Sequence, residues 1–286
     1  MKTINKILVP LDFSQHSKTI FNQAVDIAQK AKAELVVLHV HSRPTVSKSL
    51  EQYADMELIR AMEKSKLNRL QDKIKDKYNQ ILAETHEHHH IKIKFMFEKG
   101  TVVDKILEVC KQLNINLILM GTRGVKGLQE FWGTKTAEIC LKTKIPVLVL
   151  PYHRLVENPE KIAFAYDLKT IPNLETLDLV KLFSSLYQSE IHIITVYTQK
   201  EMNVEESDNL EKLRDHFKEF NPIMKTQYGG DAEKGIFSYL KEKQIQMLVI
   251  LHRHRSFLQD IFHESLTAKV TYHSDIPVLT LDERSR

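Results

Sequence analysis

At 286 residues, 42% of them hydrophobic and 27% charged, the chain has enough apolar material for one large core or two ordinary ones, which excludes global disorder. Its formal net charge of +4 comes from 41 basic and 37 acidic residues dispersed along the whole length, too mild a field for a nucleic-acid groove, which needs clustered Lys and Arg. Nothing approaches the roughly 20 apolar residues of a membrane span.

The short apolar run between Met1 and Asp12 ends at a carboxylate and does not read as a signal peptide. Ile4 to Val9 reads as the first strand, and Ile20, Ala24, Ile27 and Ala28 then fall in helical step, with Ser14 the expected cap. Leu35 to Val40 is the second strand. Its continuous run Leu35-Val36-Val37-Leu38 suits a parallel sheet buried on both faces. From Ser49 to Ala83 the positions Leu67, Leu70, Ile74, Tyr78 and Ile81 keep helical spacing, and the mixed charges around Lys64, Arg69, Asp72 and Lys73 read as an exposed face. His86, His88, His89 and His90 precede the third strand, Ile91 to Phe97. Such a tract reads as a solvated loop and no metal site is predicted, although alternation would set His86, His88 and His90 on one face.

A helix over Val102, Ile106, Val109 and Leu113 leads to the fourth strand, Ile115 to Met120. That strand runs into Gly121-Thr122-Arg123-Gly124-Val125-Lys126-Gly127 and then Gly133-Thr134, with Thr134 the expected N-cap of the helix carrying Ala137, Ile139 and Leu141. Glycines let backbone N–H groups approach an anion, a helix start favours phosphate, and Arg123 or Lys126 could add a charged contact. Val147 to Leu150 closes the half. Cys110 and Cys140 lie on apolar helical patterns, where a thiol behaves as a small hydrophobe, and a reducing cytosol suits them; the expected location is cytoplasmic.

The scheme then repeats. Lys161 to Asp167 echoes Lys6 to Asp12, Ile191 to Val196 echoes Leu35 to Val40, and Ile245 to Leu251 echoes Ile115 to Gly121. The closing strand Ile145-Pro146-Val147-Leu148-Val149-Leu150 returns as Ile276-Pro277-Val278-Leu279-Thr280-Leu281. A period of this size marks a duplicated domain. The expected domains are residues 1–151 and 160–286, joined by a linker with Pro151, Asn158 and Pro159. Each is an α/β domain, a five-stranded parallel sheet with helices on both faces, whose ligands bind beyond the carboxyl ends of the strands. The apolar closing strands are the expected contact edges between the domains.

Pro10 and Asp12 ending the first strand, Leu38-His39-Val40 ending the second, and Met120-Gly121-Thr122-Arg123-Gly124 with Gly133-Thr134 after the fourth resemble the universal stress protein family, in both halves. The resemblance implies ATP binding without a well-defined reaction. By the same resemblance Asp12 and Val40 contact the adenosine, the glycine loop holds the phosphates, and Pro10, Met120, Gly121, Gly124, Gly133 and Thr134 match binding positions; Arg123 lies between. One departure is that eight residues rather than nine separate Gly124 from Gly133. In the second half Gly121, Gly124 and Gly133 become Leu251, His254 and Glu264, so the cradle is lost there; Arg253 and Arg255 remain as cations and Asp167 is retained.

The expected function is thus a stress-response regulator carrying ATP, or ADP or AMP, in its first domain, with Mg accompanying ATP. It acts through conformation and contacts with an unidentified protein partner, with the two domains paired and homodimerisation of the whole chain left open. No catalytic residue is assigned, and hydrolysis would be weak at most. Two alternatives are an interaction protein with both pockets defunct, and an enzyme of the wider adenine-nucleotide α-hydrolase group, for which no acceptor domain is visible.

Overall fold

The computed structural model describes residues 3–12, 17–41, 91–121, 134–151, 158–166, 168, 173–197, 202–228, 232–252 and 276–283, with scattered helical positions between 65 and 83. The first half runs β1 (Lys6–Pro10), α1 (Ser17–Ala31), β2 (Glu34–His41), β3 (Ile93–Lys99), α2 (Val102–Leu113), β4 (Leu117–Gly121), α3 (Thr134–Lys142) and β5 (Val147–Leu150). The second runs β6 (Lys161–Tyr166), α4 (Leu174–Tyr187), β7 (Glu190–Tyr197), α5 (Val204–Phe217), β8 (Ile223–Tyr228), α6 (Ala232–Glu242), β9 (Met247–His252) and β10 (Val278–Asp282). Ser65, Arg69, Asp72, Lys73 and Lys77 are helical and exposed, as their charge pattern predicts. The expected cap Ser14 and the histidines 86–90 lie outside the described residues.

Each half is a parallel sheet, and the two fuse into one sheet of ten strands in the order β3-β2-β1-β4-β5-β10-β9-β6-β7-β8. The order is palindromic, with a pseudo-twofold axis where β5 meets β10. That junction is antiparallel: Val278 faces Val149, Leu279 faces Leu148 and Thr280 faces Val147. The pairing expected of the two closing strands is therefore present, and each buries an edge that would otherwise recruit another chain. The Thr280 hydroxyl donates across the seam to the Val147 carbonyl at 3.2 Å, with Cys140 Sγ 3.6 Å away.

Alternation along the strands sorts the core into two layers. On one face a single cluster crosses the seam. It joins Phe21, Val25 and Ala28 of α1 to Leu177, Val180 and Phe183 of α4 through strand residues such as Val9, Leu119, Leu148, Phe164 and Leu279. The other face carries two separate clusters, one around Ile106, Val109 and Ile139 and one around Ile236, Tyr239 and Leu240. Over the shared layer Tyr187 of α4 donates its hydroxyl to Asp26 of α1 at 3.1 Å, and the Lys30 ammonium, paired with Asp26, lies 5.1 Å above the Tyr187 ring.

The duplication extends to single side chains. Helices α1, α2, α4 and α6 all stop at a left-handed residue, respectively Lys32, Asn114, Gln188 and Gln244, none of them glycine. The next amide then bonds back into the last turn: Ala33 to Ala28, Ile115 to Cys110, Ser189 to Ser184 and Ile245 to Leu240. Asn116 Oδ1 accepts from the backbone of Asn5 and Lys6, and Gln246 Oε1 accepts from Glu160 and Lys161. Lys6 and Lys161 donate in the same way to the carbonyls of Leu113 and Lys243.

Candidate functional site

β1 lies between β2 and β4, all parallel, so the chain leaves it in one direction and returns on its other side. At such a switch point the loops beyond the carboxyl ends splay apart and leave a crevice. Pro10 ends β1 and Val40 lies half-buried near the end of β2. Met120 and Gly121 end β4, Met120 buried at 7% exposure. Asp12 stands just beyond β1 and is exposed. Arg123, Gly124 and Gly133 fall outside the described residues. Thr134 is the first residue of α3, and its side chain also falls outside them. The structure therefore brings Pro10, Asp12, Val40, Met120 and Gly121 to one edge of the sheet, and the distal part of the loop is not described.

Several groups to which the sequence reading gave no role at the site hold this edge in shape. The Leu11 amide donates to the Leu38 carbonyl at 2.9 Å, continuing the β1–β2 ladder past Pro10. His39 Nδ1 lies 2.8 Å from the Leu11 carbonyl, and this contact clamps the residue before Asp12. The His39 ring stacks on Phe97 of β3, as does the buried His41 ring, with centroids 5.5 and 4.5 Å apart. Burial holds the His41 pKa below the usual histidine value. Ser17, the first residue of α1 and buried at 2% exposure, donates its hydroxyl to Asp12 Oδ1 at 3.0 Å. A signal for His39 did exist: it continues the buried stripe Leu35, Val37 as a polar residue. A serine at a helix start, in contrast, reads as a cap.

Gly121 lies tight against α1. Its φ is not left-handed, and a Cβ there would run into Ile20 Cδ1 of α1, with Ile20 Cγ1 3.0 Å away. Its missing side chain is accounted for by the close approach of the first turn of α1 to β4. The second half shows the opposite arrangement. Gly121 pairs with Leu150 as Leu251 pairs with Leu281, and Leu251 is fully buried. Thr176, which precedes Gln188 by as many residues as Ile20 precedes Lys32, is smaller than its counterpart. Asp167, Arg253, His254, Arg255 and Glu264 lie outside the described residues.

A hollow of about 720 Å³ opens at the amino ends of the strands, lined by residues including Asn5, Lys32, Glu34 and Lys92. Glu34 and Lys92 already pair there at 3.2 Å, and it is the wrong end of a parallel sheet for a ligand. Among the described residues no group of three or more His, Cys, Asp or Glu is placed to hold a metal, and no helix is long and apolar enough to cross a membrane.

The model of the universal stress protein family matches residues 3–151 and again 174–281. Universal stress protein YxiE of Bacillus subtilis is 26% identical over 150 residues, 51% of this chain and 98% of that protein. Universal stress protein MJ0577 of Methanocaldococcus jannaschii is 26% identical over 152 residues, 51% of this chain and 93% of that one. The solved structure of a universal stress protein from Archaeoglobus fulgidus superposes with a TM-score of 0.70 at 18% identity, over 98% of this chain and 97% of that one. This last likeness concerns the fold.

Proposed function

The chain belongs to the universal stress protein family, and from that premise we propose that its first domain, residues 1–151, binds ATP or a related adenine nucleotide. Asp12 and Val40 meet the adenosine, with Pro10 and Met120 beside them. Gly121, Arg123, Gly124, Gly133 and Thr134 line the phosphates, and Mg accompanies ATP. The second domain, residues 160–286, is a copy that does not take the nucleotide. Occupancy changes a surface read by a protein partner in the cytoplasm, in a stress response; any hydrolysis is weak at most.

The observation that carries this reading is the edge itself: an exposed carboxylate, held by the first residue of a helix, beyond the central strand of a switch point. A carboxylate there can accept hydrogen bonds from ligand hydroxyl or amino groups, and a crevice at that place is where parallel sheets take nucleotides. The packing role of Gly121 favours a second reading, an interaction protein with two closed pockets.

Mass analysis of ligand released from gently purified protein, followed by calorimetry with ATP, separates them. The expected result is an adenine nucleotide and one site per chain. Protein that carries none and gives no heat with ATP, ADP or AMP would leave the interaction reading in its place.

A further inference from the structure

Among the described residues the apparatus that fixes a carboxylate at this place is seen in the first half, and we infer that Ser17 and His39 are positioning residues for Asp12, which make the first half the sole adenosine site of the chain. This inference rests on the nucleotide reading above and adds to it the residues that set which half is competent.

Asp12 follows a strand and precedes a helix, where a side chain on a turn would sample several rotamers. Ser17 removes that freedom from one side, because its hydroxyl is buried and donates to Oδ1. One carboxylate oxygen is thereby engaged, and the orientation of the group is set before a ligand arrives; such preorganisation raises affinity by lowering the ordering cost of binding. His39 acts on the backbone. Its contact to the Leu11 carbonyl, backed by the stack on Phe97, fixes the peptide that leads into Asp12. Neither residue has to touch the ligand.

In the second half both positions do other work. Asn173 precedes Thr176 as Ser17 precedes Ile20, and its side chain caps α4 by accepting from the Glu175 amide at 3.0 Å. Thr195 follows Glu190 as His39 follows Glu34. Its hydroxyl faces β8, 3.4 Å from the Lys225 carbonyl and 3.3 Å from Thr226 Oγ1, and not the end of β6. The strand registers that define this equivalence agree, since Lys6 faces Glu34 and Lys161 faces Glu190. The sequence retains Asp167, yet the two side chains that would correspond to its supports have turned elsewhere.

The test uses the full chain with Ser17→Ala and Ser17→Thr, titrated with ATP and adenosine by calorimetry and with inorganic tripolyphosphate by displacement of a fluorescent ATP analogue. Ser17→Ala is expected to weaken ATP and adenosine by about tenfold, the worth of one hydrogen bond to a charged group. It should leave tripolyphosphate unchanged, and Ser17→Thr should restore wild-type binding. Asp167→Ala should leave the one-site stoichiometry intact. Wild-type affinity in Ser17→Ala, an equal loss for tripolyphosphate, or failure of Thr to rescue would each overturn the positioning role while leaving ATP binding standing. A wild-type protein that binds neither ATP nor adenosine would overturn both.

Discussion

Gly121 offers a quantitative test of whether its bareness serves packing or anion binding. In Gly121→Ala the new Cβ meets Ile20 Cδ1 at a distance no pair of carbons tolerates, and Cγ1 at 3.0 Å. Ile20 is half-buried, so its terminal methyl can swing aside. The expected cost is a displaced rotamer plus lost packing, about 1 to 1.5 kcal/mol. Ile20→Val deletes the offending methyl and nothing else; alone it should cost about 0.5 kcal/mol, the low end for a methyl lost from a core. In the double variant the clash is gone and only the Cγ1 contact remains. Its total should therefore stay near 0.5 kcal/mol, against a sum of about 1.5 to 2, a coupling of about 1 kcal/mol. Urea unfolding followed by circular dichroism reads all four corners of the cycle, and ATP calorimetry on the same four proteins reads the site. Strict additivity would refute the packing account. So would Gly121→Ala at full stability with ATP binding lost, an outcome that returns the glycine to the phosphate cradle.

Two further outcomes follow from the seam and the core. Tyr187→Phe should destabilise the chain by about 1.5 kcal/mol at pH 8, since it removes a hydrogen bond to the Asp26 carboxylate. Burial, and then the Asp26 charge, raise the Tyr187 pKa above its ordinary 10.0, so that contribution is whole below pH 10 and fades as pH rises beyond it. The gap between wild type and variant in urea melts should narrow from pH 8 to pH 11; a constant gap would contradict the bond. Burial pushes the thiols of Cys110 and Cys140 up to about 12, leaving about one part in ten thousand as thiolate at pH 8. Iodoacetamide should therefore label neither in the native protein and both in urea, by mass spectrometry; rapid native labelling would count against the buried placement.

The parallel strands were legible because each is a β-branched run that the sheet buries on both faces. Their limits slipped where side chains compete with the ladder. The run from Ile4 promises a strand, yet β1 begins at Lys6, and the Asn5 amide before it is taken by the Asn116 side chain. β8, Ile223–Tyr228, is not evident in the sequence: at the outer edge of the sheet it alternates between exposed and half-buried side chains from Ile223 to Thr226 and lacks a continuous apolar run. α5 was equally quiet, with only Asn209, Leu213 and Phe217 buried and a capping box of Asn203 and Glu206 as its signature. At the site, Asp12 was singled out through the family resemblance, and its place beyond β1 was legible because the apolar strand run ends there. Ser17 and Ile20 were not, because their roles depend on which side chain α1 meets when it lies back on β4.

The same logic explains how the two halves diverged without losing the fold. When two identical subunits pair about a twofold axis, every residue at the seam serves its contact twice, and a change on one side is forced on the other. YxiE, which this chain matches over nearly its whole length, is about half as long as this chain. Joining two such halves in one polypeptide removes the constraint. At the α1–α4 seam the first half supplies Asp26 and the second Tyr187, whereas the positions related to them by the pseudo-symmetry, Leu182 and Ala31, are apolar and lie against the shared core. A symmetric pair of either half could not build that bond, for it would bring together Asp26 with Ala31, or Leu182 with Tyr187. The pairing of a large Ile20 with a bare Gly121 in the first half, against a smaller Thr176 and a fully buried Leu251 at the equivalent positions of the second, has the same character. Divergence in matched sets of this kind holds the ten-stranded sheet constant while leaving the supports of Asp12 in one half alone. On the proposed reading, that leaves one half to hold a nucleotide and the other free to diverge.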